Sequence, residues 1–321
     1  MKVLVTGAGG FVGKALCKRL ETADHIEVIG AVRTLPSQPY GACSLVAVGD
    51  IDGHTDWSQA LAGVSVVVHL AARAHVLNEQ SRDPREEFRR VNVEGALALF
   101  QQAIDCGLKR FVFISSIGVV GGSTEGKPFT ETMPPAPHAD YAHSKYEAEE
   151  ALKALSKSSG VELVIVRPPL VYAAHAPGNF ARLLKLVALG VPLPFGSVMN
   201  QRSMVALENL VDFITLCVRH PAAAGETFHV SDDEDVSLPQ MLKLLGRGMG
   251  RNVLLLPVPT GLMALGAQLL GKKNLYTQLC GSLQVDSTKS RSLLGWQPPI
   301  SAEIALLQAG ASFSRSQKHD A

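Results

Sequence analysis

Gly7-Ala8-Gly9-Gly10-Phe11-Val12-Gly13 follows directly on the strand-like run Lys2-Val3-Leu4-Val5-Thr6, and this junction constrains the chain more than any other feature. Gly7, Gly10 and Gly13 stand at the three-residue spacing where a tight turn, a close backbone approach and helix–strand packing exclude side chains. Phe11 and Val12 then open a helix. Its amino terminus offers unpaired N–H groups and a positive dipole end, which suit a pyrophosphate. A plain glycine-rich turn is the alternative, and it would require neither the strand before nor the helix after.

Through the first half, short β-branched runs alternate with helical periodicity. Strands are predicted at Lys2–Thr6, Ile26–Val32, Leu45–Val48, Val64–Leu70, Arg110–Ser115 and Val161–Arg167. Helices are predicted at Phe11–Leu20, Pro84–Cys106 and Tyr141–Ser158. Runs such as Val66-Val67-Val68 suit strands covered on both faces. The expected fold class is α/β, a Rossmann-type doubly wound parallel sheet whose ligand crevice lies beyond the carboxyl ends of the strands. Pro168-Pro169 breaks the rhythm. Residues 1–168 are expected to form the dinucleotide-binding domain. Residues 169–321 would be mainly a smaller substrate-binding lobe, with some segments returning to the main sheet.

Charge and cysteine usage exclude several partners. Lys plus Arg total 30 against 29 Asp plus Glu, with no basic block, so no electrostatic footprint is expected for nucleic acid or for an anionic membrane. Five dispersed cysteines, an odd number without a C-x-x-C pair, fit a reducing cytoplasm better than a disulfide framework or thiolate zinc site. His69 with His75, and His138 with His143, lack the spacing of a helical metal pair, so no metal is expected. The apolar stretch Leu254–Gly271 is interrupted by Pro257, Pro259, Gly261 and Gly266. It is expected to be a core helix preceded by a short strand, not a stable membrane insertion. Asp232-Asp233-Glu234-Asp235 is expected to be a solvated loop or helix cap.

The crevice residues follow from the strand ends. Arg33, closing the second strand, can pair with a ribose 2′-phosphate, so NADP(H) is expected in preference to NAD(H). Asp50 with Ile51, after the third strand, is placed to meet the adenine. Leu70-Ala71-Ala72 supplies small residues where the backbone must approach the cofactor. Tyr141 and Lys145 lie one turn apart on a helix, so both project from one face. An ammonium there should favour phenolate and lower the tyrosine's pKa. Ser115-Ser116 end the fifth strand at the crevice edge.

These residues together resemble the extended short-chain dehydrogenase/reductases of the nucleotide-sugar epimerase/dehydratase group. The likeness runs over nearly the whole chain. It includes His69-Leu70-Ala71-Ala72, Val91-Asn92-Val93-Glu94-Gly95, Arg167-Pro168-Pro169-Leu170-Val171-Tyr172 and Asp286-x-x-Lys289…Leu294-Gly295-Trp296. The resemblance implies that Ser116 orients a sugar C4 oxygen, that Tyr141 is the acid/base, and that Lys145 binds the nicotinamide ribose. It makes Asn92 a support for the lysine, and places Ser115 and Pro168 at the cofactor. It also implies that Asn179, Pro194 and Arg202 face a UDP group, with Leu283 near the sugar. Three places depart from the pattern: Ile117-Gly118 replace the Asp-Glu pair of the related 4,6-dehydratases, Val119-Val120-Gly121 stands for a usual Val-Tyr-Gly, and Ala173-Ala174 replace a usual Gly-Pro. The resemblance therefore implies a cytoplasmic enzyme, compatible with a homodimer, acting at C4 of a UDP-linked, N-acetylated 6-deoxy hexose. Reduction of a 4-keto sugar for surface-polysaccharide (O-antigen, lipopolysaccharide) precursors is the first expectation, and UDP-hexose 4-epimerisation the second. A non-catalytic dinucleotide sensor and a hydroxysteroid- or flavonol-type reductase are the remaining alternatives.

Overall fold

The computed structural model describes residues 1–38, 41, 43–74 and 83–319. The first half runs β1 (Lys2–Thr6), α1 (Phe11–Glu21), β2 (Glu27–Val32), β3 (Ser44–Ala47), α2 (Ser58–Leu61), β4 (Val66–His69), α3 (Pro84–Arg89), α4 (Gly95–Asp105), β5 (Arg110–Ile114), α5 (Asp140–Ser159) and β6 (Glu162–Arg167). It continues with β7 (Leu170–Tyr172), α6 (Asn179–Ala188), β8 (Met204–Ala206), α7 (Leu207–Arg219), β9 (Thr227–His229), α8 (Leu238–Gly248), α9 (Thr260–Leu269), α10 (Lys273–Cys280), α11 (Thr288–Leu294) and α12 (Ala302–His319).

Seven strands form one parallel sheet in the order β3-β2-β1-β4-β5-β6-β9. The fold is thus the doubly wound α/β arrangement that the alternating pattern predicts. Successive side chains of a strand point to opposite faces. Val3 and Val5 accordingly join α1 and α7 in one core, while Leu4 joins α4 and α5 in the other. Both faces are covered, which is why β1, β4 and β5 read as continuous apolar runs. The order of connection reverses between β1 and β4, and a crevice opens at their carboxyl ends.

Beyond Arg167 the chain does not stay apart from this sheet. β9 pairs with β6, and Trp296 enters the α1–α7 core with its indole N–H donating to Asp212 (3.1 Å). Gly295, at φ +65°, lets the chain turn out of α11 toward that tryptophan. A third core joins α6, α8 and α12 around the two-stranded β7–β8 ladder.

Three expectations need correction. The predicted single helix over Pro84–Cys106 contains one turn of π-helix at Arg90–Glu94, which fits an extra residue between α3 and α4. Leu254–Gly271 is not a core helix. Leu255 makes a single bridge to Leu193, and α9 has no buried residue, because the segment lies over the outside of the third core and touches it through Leu255 and Met263. Asp232 is not solvated. It is buried and accepts hydrogen bonds from Tyr172 Oη (2.7 Å), Asn209 Nδ2 (2.7 Å) and Ala206 N (2.8 Å). Glu234 in the same run accepts from Ala302 N at the start of α12 (3.2 Å), which is a cap. Among the described residues, no helix is long and apolar enough to cross a membrane.

Candidate active site

A cleft of about 940 Å³ lies along the carboxyl ends of β1, β2, β3 and β4, and Gly7, Gly10, Arg33, Asp50, Ile51 and Leu70-Ala71-Ala72 all line it. Its floor requires glycine. Gly7 has φ +67°, and a Cβ there would stand 2.9 Å from Ala71 N. A Cβ on Gly13 would stand 2.1 Å from Gly7 O, so helix α1 meets the turn only because no side chain intervenes. Gly10 is the N-cap of α1 and brings no side-chain cap, so the amides of Phe11 and Val12 keep their donors for an anion. Thr6 Oγ1 accepts from Ala71 N (3.2 Å) and meets His69 Nδ1 (2.8 Å), which fixes the β4 turn against the end of β1. Burial against Phe113 pushes His69 down to about 3, so it is a neutral strut.

Arg33 is not free at the strand end. Its Nε meets Asp50 Oδ1 at 2.8 Å, with both side chains mostly exposed (77% and 72%).

The catalytic candidates gather where β5 ends and α5 begins. Ser115 Oγ is buried with no hydrogen-bond partner among the described residues, the condition of a group that completes its bonding on a ligand. Ser116 Oγ accepts from Gly118 N (3.1 Å) and so caps the short turn at Ile117–Val119, which leaves its proton to donate. Gly118 is the link to α5: a Cβ there would be 3.3 Å from Ser116 Oγ and 3.4 Å from the Cβ of Ala142. Tyr141 is the second residue of α5, and Phe88 of α3 packs edge-on against its ring at 6.2 Å. Lys145, one turn on, is buried; its Nζ donates to Ile114 O (2.8 Å) and lies 4.5 Å from the centre of the Phe113 ring. The Ile117 N–H donates to Pro168 O (3.0 Å), which brings the end of β6 to the same corner.

Burial dominates both titrations here. It lowers Lys145 to about 7, opposed by the nearby Glu149 carboxylate, and pushes Tyr141 up to about 12. The expected lowering of the tyrosine by the ammonium is therefore absent in this arrangement. Lys145 spends its charge on the Ile114 carbonyl and the Phe113 face instead.

Asn92, buried in the π-turn, does not reach Lys145 Nζ. Its Oδ1 accepts from Arg73 N (2.8 Å), and its Nδ2 donates to Arg73 O (3.1 Å) and to Ser144 Oγ (2.9 Å). It ties the loop after β4 to the helix residue preceding Lys145. Arg73 lies over Phe88, 5.7 Å from the ring centre, and His175 sits edge-on to Phe11 at 5.2 Å. Phe88 and His175 are additions that sequence reasoning missed. Both are ordinary aromatic positions until α3 and the loop after β7 are brought to the crevice. His75 lies outside the described residues.

In the outer lobe, Asn179 and Arg202 meet on one residue. Asn179 Nδ2 donates to Gln278 Oε1 (2.9 Å), and Arg202 Nη1 donates to the carbonyls of Gln278 and Gly281 (both 2.9 Å). Arg202 thus satisfies the carboxyl-terminal carbonyls of α10, and its partial burial draws its pKa down. Asn200 donates to Leu279 O and Gly281 O (both 3.1 Å), a second anchor that sequence reasoning missed. Pro194 is exposed between Leu193 and Phe195, which pack into the third core. Leu283 pairs beside Arg202 and packs with Ile117, next to Ser116. Lys289, by contrast, bonds to Thr227 O (2.9 Å) and Glu226 (2.6 Å) and supports β9.

A family model described as "NAD dependent epimerase/dehydratase family" matches residues 3–231. A UDP-glucose 4-epimerase of Vibrio cholerae is 44% identical over 313 residues, covering 97% of this chain and 95% of that protein. An N-acetyl-alpha-D-glucosaminyl-diphospho-ditrans,octacis-undecaprenol 4-epimerase of Escherichia coli O157:H7 is 29% identical, covering 90% and 88%. The solved structure of a UDP-glucuronic acid 4-epimerase from Bacillus cereus in complex with NAD superposes with a TM-score of 0.77. It is 21% identical and covers 98% of this chain and 99% of that one, a likeness of fold.

Proposed function

The chain belongs to the NAD-dependent epimerase/dehydratase family, as an enzyme of the extended short-chain dehydrogenase/reductase type, and from that premise we propose that it interconverts the C4 epimers of a UDP-linked hexose with NAD as resident cofactor. The observation that carries this reading is the corner where β5 leads into Ser115-Ser116 and α5 begins at Asp140-Tyr141, with Gly118 close to both Ser116 Oγ and Ala142 Cβ and Lys145 Nζ bonded to Ile114 O, beside a glycine cradle. The order of the two leading expectations is thereby reversed. The substrate named for the Vibrio cholerae relative is a UDP-hexose, and the Arg33–Asp50 pair neutralises the ribose corner, which suits a cofactor without a 2′-phosphate.

The residues divide the work by position. Ser116 donates its hydroxyl proton to the sugar C4 oxygen. Tyr141 takes the C4 hydroxyl proton as the carbon is oxidised and returns it as the ketone is reduced. Lys145, one turn along the same helix, holds the nicotinamide ribose. The dinucleotide, when bound, supplies the acceptor and donor of the C4 hydride. The unpartnered Ser115 hydroxyl and the Gly7–Gly13 cradle are the features that fit such a group. Asn179, Pro194 and Arg202 face the diphosphate and base. Loss of water from the sugar is not part of the proposal, because Ile117, where dehydratases carry an acid, packs in an apolar cluster with Val120, Leu283 and Val285.

A second reading, 4-keto reduction by NADPH in polysaccharide precursor synthesis, rests on the exposure of Arg33, which could exchange Asp50 for a 2′-phosphate. One experiment separates the two. UDP-glucose and UDP-N-acetylglucosamine are each given to the purified enzyme without added reductant, and a UDP-4-keto-6-deoxy sugar is given with C4-deuterated NADPH. Epimer formation at about 1 per second or faster supports the first reading. Product appearing only with NADPH, deuterated at C4, replaces it with the second.

A further inference from the structure

Helix α9 carries its apolar side chains outward. Leu262, Leu265 and Leu269 follow an i, i+3, i+7 spacing and are 62%, 54% and 79% exposed, and Leu270 beyond them is 73% exposed. The segment leading into α9 extends this surface: Leu254 and Leu256 are exposed on either side of Leu255, whose pairing with Leu193 brings Val191 alongside. Exposed leucines set together in this way mark an interaction surface.

The segments that carry these leucines hold charge of one sign. There is no Asp or Glu between Glu162 and Glu208, and none between Asp235 and Asp286, although the whole chain carries nearly equal numbers of acids and bases. Exposed Lys272 and Lys273 follow α9 directly. Arg251 lies at the other end of the segment, bonded to the Ala188 carbonyl at the end of α6, and α6 itself exposes Arg182 and Lys185.

We propose that this face docks the enzyme on an anionic lipid bilayer, with α9 lying in the headgroup layer, its leucines toward the acyl chains and the surrounding cations on lipid phosphates. A second copy of the chain fits less well. A two-fold contact through the same patch would set like cations against each other, with no acid on these segments to pair with them. Docking also has a consequence for the site. α10 follows α9 immediately and carries Gln278, the residue on which Asn179 and Arg202 meet, so the diphosphate corner is held next to the docking surface. The inference goes beyond the proposed reaction and is read out by binding alone, whatever sugar the site takes.

The test is cosedimentation of the full chain with phosphatidylcholine vesicles, with and without phosphatidylglycerol. Binding is expected to the anionic vesicles and to weaken with added salt. Leu265→Asp/Leu269→Asp places charge in the acyl-facing row and should weaken binding by about tenfold or more. Its thermal midpoint and its turnover of a soluble UDP-sugar should stay unchanged. Wild-type protein that binds neither vesicle overturns the proposal, as does a double variant that binds like wild type. A variant that dissociates a dimer, without any vesicle binding by the wild type, reassigns the face to self-association. If the leucine variant loses its fold, Lys272→Glu/Lys273→Glu carries the test, and undiminished binding by that variant overturns the proposal.

Discussion

Arg33 and Asp50 reach toward each other from the ends of neighbouring strands, Nε to Oδ1 at 2.8 Å, over the part of the cleft where β2 and β3 deliver the chain. Each side chain is largely exposed, so the pair contributes at most about 1 kcal/mol and holds Arg33 only loosely. The carboxylate nevertheless changes what Arg33 offers a ligand. A lone guanidinium would favour a 2′-phosphate; a guanidinium already facing a carboxylate presents a nearly neutral corner.

Titration of both reduced cofactors should therefore give dissociation constants within about fivefold of each other in the wild type, the factor that such a pair can supply. Asp50→Ala releases Arg33 and should tilt the ratio toward NADPH by a further factor of about five. Arg33→Ala should weaken NADPH and leave NADH nearly unchanged. A wild-type preference for NADPH beyond a hundredfold would mean that the pair is irrelevant to selection.

Tyr141→Phe removes the hydroxyl and keeps the ring that Phe88 packs against. Turnover should fall by about 10²–10⁴, while the dissociation constant for the dinucleotide changes less than about threefold. Near-normal turnover in that variant would take Tyr141 out of the chemistry.

What was legible in the sequence depended on how local its physical cause is. Gly13 is dictated by a carbonyl only six residues away, and the β1 and β5 runs are dictated by burial on both faces. These follow from spacing alone. Arg202 gave no sign that it would close the end of α10, because Gln278 and Gly281 are remote in sequence and only tertiary packing brings them to it. Asp232 sits in an acidic run that looks solvated until Tyr172 and Asn209 converge on it. Leu254–Gly271 misled for a different reason. Its apolar content is genuine, but hydrophobicity cannot say whether a helix faces its own core or another surface.

Asn92→Ala should destabilise the fold by about 2–4 kcal/mol, since it strands the backbone N–H and carbonyl of Arg73 and removes the donor to the Ser144 hydroxyl, which keeps its own bond to Tyr141 O. Denaturant unfolding measures this directly. Turnover should fall as well, because the same amide joins the loop after β4 to the residue beside Lys145. A loss of stability under about 0.5 kcal/mol would show that water replaces the amide without cost.

Asp232 should make stability depend on pH in the direction opposite to most carboxylates. Three donors face it, yet burial outweighs them and pushes its carboxyl up from 3.8 to about 6. A folded-state value above the unfolded one means that the folded protein holds the proton more tightly. The contribution is therefore complete below about pH 4 and is lost as pH rises through about 6, which is worth up to ~3 kcal/mol. Asp232→Asn keeps an acceptor for Ala206 N and Asn209, while its amide can donate to the Tyr172 oxygen, and it cannot ionise. Relative to wild type, the variant should gain stability between pH 4.5 and pH 7.5 in urea unfolding. An equal difference at the two pH values would mean that Asp232 ionises as readily in the folded chain as in the unfolded one.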